Sequence, residues 1–114
     1  MSVPARIEGF LKTAEEDLQA AEALAKLGNR LAAYHVQQAI EKVIKAALLA
    51  AGADAGVEHR LDELMKKLPE SDATRVALWP LRSYGVFATA FRYPTTTGRL
   101  VDSPPQAELD DKVA

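Results

Sequence analysis

The chain contains no cysteine, so disulfide bonds, zinc–thiolate sites and thiol catalysis are excluded. Aromatic residues make up only 6% of the chain and alanine and leucine are abundant, which favours helices over sheets. No apolar run is long enough to span a bilayer, and residues 1–10 lack the apolar core of a signal peptide. The sequence therefore predicts a cytoplasmic protein, folded as a single domain over residues 1–114 around one hydrophobic core.

The net charge of −2 hides an uneven distribution of charged residues. Acids crowd the first predicted helix, whereas no acid occurs between Ala73 and Val101. That segment contains only basic charges, namely Arg75, Arg82, Arg92 and Arg99. Two interpretations are open: the arginines pair with the acids of the first helix, or they attract an anionic ligand.

Apolar residues at spacings of three and four predict long helices over 5–26 and 30–51, joined by the break at Gly28-Asn29. The first helix is expected to bury Ile7, Leu11, Ala14, Leu18, Ala21 and Ala25. A third helix is expected over 58–68, because Pro69 cannot continue it.

Ser71 or Asp72 can cap the next helix, which should kink or split near Pro80 and carry Trp79 into the core. Residues 95–105 have the composition of turns, and a short helix can form over 106–112. These patterns predict an all-α protein, an antiparallel up-and-down four-helix bundle with or without a short fifth C-terminal helix.

The second helix carries two kinds of surface when its residues are placed at the α-helical step. Its apolar face includes Val36, Ile40 and Ile44. The other side shows a polar stripe, formed by His35, Gln38, Lys42 and Lys45, with Glu41 at its margin. This stripe can hold a phosphate, or it can be the solvent-exposed side of a core helix.

Four segments in order resemble the HEPN domain family, a family named for nucleotide binding in higher eukaryotes and prokaryotes. They are Glu16-Asp17-Leu18, the run YHVQQAIEKVIKA from Tyr34 to Ala46, His59-x-Leu61-x-x-Leu64, and Phe91-Arg92-Tyr93-Pro94. The resemblance covers roughly residues 5–105. It implies a helical bundle that dimerises and binds nucleotide or RNA, and many members act with a nucleotidyltransferase as a toxin–antitoxin pair.

Some members of that family are ribonucleases with an Arg, four to six residues, and then a His near the start of the last main helix. Neither Arg92 nor Arg82 is followed by a histidine at that distance. Arg30 and His35 have the spacing, but they open the second helix, and their side chains diverge by about 140° on a helical wheel. The sequence therefore does not support ribonuclease activity, which needs a base as well as a cation.

The binding interpretation assigns a nucleotide or phosphate site to residues of the polar stripe and of the C-terminal segment. These are Gln38, Lys42, Lys45, Arg92, Tyr93 and Arg99. The lysines and arginines can contact phosphate oxygens, Gln38 can bond a base or ribose, and Tyr93 can stack on a base. For Arg92, an equally weighted alternative is a structural role, in which its stem covers apolar surface.

His35 and His59 are candidate polar-site residues, although a structural role is more common for histidines in such positions. Their spacing from the carboxylates does not match a metal site, and no metal or cofactor is predicted. The favoured function is nucleotide or RNA binding, with a homodimer and a nucleotidyltransferase-type partner. The alternatives are a non-catalytic dimerisation module and, third, a metal-independent ribonuclease that uses Arg92.

Overall fold

The computed structural model describes residues 2–86, and every regular element in that range is helical. Helix α1 spans Val3–Lys26 and helix α2 spans Ala32–Ala50. Two short helices follow, α3 over Leu61–Lys66 and α4 over Ala73–Leu78. A 3₁₀ segment over Trp79–Val86 completes the described part of the chain. The predicted all-α class is confirmed for these residues, while the fifth helix predicted over 106–112 lies outside them.

Helices α1 and α2 form an antiparallel hairpin because the turn between them reverses the chain within a few residues. Gly28 has a φ of 67°, a left-handed conformation that glycine adopts without a Cβ clash. The amide of Asn29 donates to the carbonyl of Leu24 at 2.9 Å, which closes the end of α1. Phe10 from the first half of α1 and Leu49 from the end of α2 line the same small cavity, as an antiparallel pair requires.

The break between α4 and the 3₁₀ segment occurs where the sequence predicted a kink or a split. The Asp72 carboxylate caps α4 by accepting hydrogen bonds from the amides of Thr74 at 2.8 Å and Arg75 at 3.1 Å. Pro80 lacks an amide hydrogen and its ring crowds the carbonyl four residues earlier, so the α-helix cannot run through it. The chain continues in the tighter 3₁₀ conformation instead.

The core is centred on α2, whose buried face packs against α1 on one side and α3 on the other. Small side chains on both long helices let their backbones approach closely, and Ala21 and Ala33 are completely buried. The larger buried side chains form one cluster: Val36, Ile40, Ile44, Leu48, Leu61, Leu64, Met65, Leu68 and Tyr84. Helix α3, only six residues long, contributes three members of this cluster.

The prediction that α1 buries its whole apolar stripe is wrong for three of the six residues of that stripe. Ala14, Ala21 and Ala25 are buried, but Leu11 is 48% exposed and Ile7 and Leu18 are only partly buried. Among the elements of residues 2–86, α1 packs mainly against α2, which covers one face of it. The remaining apolar surface of α1 is therefore uncovered by the described residues.

Candidate functional site

Asp17 of α1 lies beside the polar stripe of α2 and holds two of its members. Its carboxylate accepts a hydrogen bond from the Lys42 ammonium at 2.5 Å, and its other oxygen lies 3.0 Å from Nδ1 of His35. Lys42 and His35 are seven residues apart, two helical turns, so they lie on the same face of α2. The Asp17 side chain is only 12% exposed, which reduces the screening of both contacts by solvent.

A second carboxylate, from Glu41, organises the other end of the stripe. Lys45 donates to it at 3.1 Å, Gln37 donates at 3.3 Å, and Nδ1 of His59 lies 3.2 Å away. The same His59 nitrogen is 3.4 Å from the Lys45 ammonium. One nitrogen cannot donate to Glu41 and accept from Lys45 at once, and the shorter contact to a charged oxygen favours donation to Glu41.

Gln38 joins the stripe to the buried groups of α2, because its amide donates to the side-chain oxygen of Gln37 at 2.7 Å. Gln37 is fully buried, and its own amide group donates a hydrogen bond to Glu41. All four stripe residues are thus fixed by partners on α1, on α2 or in the loop before α3. The stripe is half-buried where α1 and α2 meet, so it is not simply the solvent-exposed side of a core helix.

The electrostatic balance of this site differs from that expected of an unpaired cation cluster. The ammonium groups of Lys42 and Lys45 are matched by the carboxylates of Asp17 and Glu41. The site is close to neutral when both imidazoles are neutral. A phosphate that binds here must compete with Asp17 and Glu41 for the lysines, or add to the hydrogens that they leave unused.

The loop before α3 carries an ion pair next to His59. The Arg60 guanidinium donates to Glu58 at 3.0 Å and 3.1 Å, and this lowers the pKa of the Glu58 carboxyl from 4.5 to about 2. Because the pKa of Glu58 is lowered in the folded protein, the ionised carboxylate stabilises the folded state. The contribution is present above pH 4.5 and is lost as the pH falls through about 2.

The other predicted binding residues, Arg92, Tyr93 and Arg99, lie outside the described residues. Whether they meet Gln38, Lys42 and Lys45 stays a prediction. The sequence analysis did not assign Asp17, Glu41 or Gln37 to the site. The i,i+4 spacing of Glu41 and Lys45 was a signal for one ion pair, but nothing in the sequence placed Asp17 opposite Lys42.

Two further properties concern residues 2–86 alone. No three His, Asp or Glu side chains in this range come close enough together to hold a metal ion. The helices of this range are too short or too polar to cross a membrane.

Residues 7–108, nearly the whole chain, match the family model described as the HEPN domain. No curated protein and no solved structure matches the chain significantly. The family model covers the polar stripe, both histidines and the C-terminal segment in which Arg92, Tyr93 and Arg99 lie.

Proposed function

The chain belongs to the HEPN domain family, and on this premise we propose that it binds a nucleotide or RNA through the polar stripe of α2. The observation that carries the proposal is the positioning of the stripe by Asp17 and Glu41. Side chains that are already fixed lose less conformational entropy when a ligand binds them. In this proposal Lys42 and Lys45 contact phosphate, Gln38 contacts base or ribose, and Arg92, Tyr93 and Arg99 complete the site.

Each lysine keeps hydrogens that its carboxylate partner does not use. An ammonium group has three N–H donors, and the contact of Lys42 with Asp17 occupies one of them. The Lys42 side chain is 27% exposed, so a ligand can reach it from solvent. Asp17 accordingly orients Lys42, and its negative charge also lowers the attraction of Lys42 for an anion. Removal of that charge therefore tests the proposal.

Asp17→Asn should strengthen binding of ATP or a short RNA, because it removes the charge that competes with phosphate for Lys42. Lys42→Gln should weaken binding roughly tenfold, through loss of a charge-assisted hydrogen bond. Binding is measured by calorimetric titration of the full chain, and Lys12→Gln, at an exposed lysine of α1, is the matched control. If Asp17→Asn and Lys42→Gln both leave the affinity unchanged, the stripe is not the site. If neither ligand binds the wild-type protein at millimolar concentration, the proposed function fails.

A homodimer is the proposal for the apolar surface of α1 that residues 2–86 leave uncovered. Val3 and Leu11 are each 48% exposed there, and Ile7 lies between them. A contiguous exposed apolar surface of this kind is typical of an interface. Light scattering decides the question, because a single copy has a mass of 12.3 kDa. A mass of one copy at all concentrations would remove the proposal and, with it, the alternative of a pure dimerisation module.

Family membership also supports several finer proposals. These are a nucleotidyltransferase-type partner in a toxin–antitoxin-like pair, a cytoplasmic location, and a single up-and-down four-helix bundle over residues 1–114. The neighbouring genes test the pairing first, because the proposal expects one of them to encode a small nucleotidyltransferase. Co-expression of the two proteins then tests their association, and absence of such a gene or failure to co-purify would count against the pairing.

Ribonuclease activity is a second candidate, and one contact favours it. Nδ1 of His35 lies against the Asp17 carboxylate, which can only accept, so in the neutral ring Nε2 is the free acceptor of a general base. The expected Arg-to-His spacing is nevertheless missing after Arg92. Incubation of the protein with labelled RNA tests this candidate, and uncut RNA would exclude it.

A further inference from the structure

Trp79, the only tryptophan of the chain, lies where α4 passes into the 3₁₀ segment. The sequence predicted it as a core residue, but it is only partly buried. It packs on the edge of the core cluster and also lines an open surface pocket of about 310 Å³. The other lining residues are Glu70, Arg75, Val76 and Pro80. Val76 is 61% exposed, so this pocket opens to solvent beside an aromatic ring.

Two guanidinium groups lie against the Trp79 ring. The central carbon of Arg75 is 5.1 Å from the ring centroid, and that of Arg82 is 4.5 Å away, both within the range of a cation–π contact. Each arginine is anchored by one hydrogen bond to the backbone, Arg75 to the Leu68 carbonyl and Arg82 to the Trp79 carbonyl, both at 2.8 Å.

The sequence spacing of the three residues explains this arrangement. Arg75 precedes Trp79 by four residues, which places the two side chains one turn apart at the end of α4. Arg82 follows by three residues, and in a 3₁₀ helix side chains three residues apart eclipse one another. Both arginines therefore lie beside one aromatic side chain.

The two guanidinium groups at this site form no ion pair with an acid of the described residues, although Glu70 lines the same pocket. Neither Arg75 nor Arg82 forms a salt bridge within residues 2–86, whereas Lys42 and Lys45 each do. The sequence adds no acid between Ala73 and Val101. Glu70 is the one acid among the residues that line the pocket, and its carboxylate can accept hydrogen bonds from the amino group of a base.

We propose that Trp79, Arg75 and Arg82 form a stacking site for a nucleobase of single-stranded RNA, in which the base displaces the exposed Arg82 guanidinium from the Trp79 ring and both guanidinium groups contact the flanking phosphates. Aromatic rings with nearby cations are the usual elements of such sites, because any base can stack and the backbone is always anionic. The site takes one base and adds to the polar stripe of α2. It rests on the proposed function, in that the ligand is RNA, but it uses different residues.

Because Trp79 is the only tryptophan of the chain, the tryptophan fluorescence of the protein reports directly on this site. Titration of the full chain with an unlabelled ten-nucleotide oligoadenylate should quench the emission of Trp79 in a saturable way, and this measurement needs no variant. In parallel, the anisotropy of the same RNA with a fluorescent label measures affinity independently of the site.

Arg82→Gln should weaken the RNA affinity several-fold and reduce its dependence on salt, since one phosphate contact is lost. Trp79→Leu should weaken it roughly tenfold, and Trp79→Phe should retain most of it because a phenyl ring still stacks. Arg60→Gln is the control, because Arg60 is an arginine with a 71% exposed side chain whose charge is already paired with Glu58. Circular dichroism of each variant separates lost binding from lost folding.

The outcomes distinguish this inference from the proposed function. If the labelled RNA binds, but Trp79 is not quenched and Arg82→Gln and Trp79→Leu bind like the wild type, the stacking site is refuted and RNA binding elsewhere stands. If the labelled RNA does not bind at all, both fail. Quenching by an acidic peptide but not by RNA would also overturn the assignment.

Discussion

Leu64→Ala is expected to lower the free energy of unfolding by about 3–4 kcal/mol, as deletion of a buried leucine side chain does when the cavity cannot collapse. Leu64 is fully buried at the centre of α3 and belongs to the core cluster around α2. A helix of six residues has almost no stability of its own, so packing must hold α3 in place. Loss of this contact therefore also loosens the loop that carries His59.

Urea denaturation of the full chain measures the effect, and Leu27→Ala provides the control. Leu27 is 80% exposed at the end of α1, and its truncation should change stability by less than about 0.5 kcal/mol. Equal effects of Leu64→Ala and Leu27→Ala would show that α3 does not pack on α2 as described.

Lys45→Met is expected to lower the free energy of unfolding by about 3 kcal/mol. The substitution removes the cation that pairs with the carboxylate of Glu41, which is nearly buried. Glu41 is 7% exposed and the Lys45 side chain 12% exposed, so solvent cannot replace the lost partner. Only neutral Gln37 and the exposed His59 remain in contact with the carboxylate. Much of the loss should be recovered in the double variant Glu41→Gln with Lys45→Met, which removes both charges.

A matched pair on α1 isolates the role of burial. Lys26 and Glu22 have the same i,i+4 spacing, but their side chains are 75% and 61% exposed. Lys26→Met should therefore change stability by no more than about 0.5 kcal/mol. If Lys45→Met is as mild as Lys26→Met, then Glu41 is solvated in solution, and the positioning of the stripe by its buried carboxylates is in doubt.

Local rules were enough to predict much of the fold. Gly28 marked the turn of the hairpin, Asp72 the cap of α4, and Pro80 the point at which α4 stops. Each of these follows from the backbone chemistry of one or two residues, which a sequence displays directly.

Contacts between elements were harder to predict. The ion pair between Asp17 and Lys42 depends on how α1 and α2 are rotated about their axes, which no single-helix pattern reveals. Glu41 was predicted to lie at the margin of the polar stripe, yet it is buried, and His59 from the loop before α3 contacts its carboxylate. Trp79 was assigned to the core on α-helical periodicity, which no longer applies once the chain becomes 3₁₀.

These corrections add a second place at which an anion is expected to bind. The sequence predicted that the lysines of the stripe bind phosphate, but their charges are compensated by carboxylates. The guanidinium groups beside Trp79 form no salt bridge with an acid of residues 2–86. An RNA strand that reaches both regions would find oriented donors at the stripe and a stacking surface at Trp79.

The central claim, that this HEPN domain binds nucleotide or RNA through the polar stripe, is tested most directly by nuclear magnetic resonance. The measurement is a titration of the ¹⁵N-labelled full chain with a ten-nucleotide oligoadenylate, followed through its amide signals. We predict saturable shifts of the Gln38, Lys42 and Lys45 amides, and a midpoint of these shifts at roughly tenfold higher RNA concentration in the Lys42→Gln variant. A spectrum in which these three amides stay unchanged up to millimolar RNA would contradict the claim.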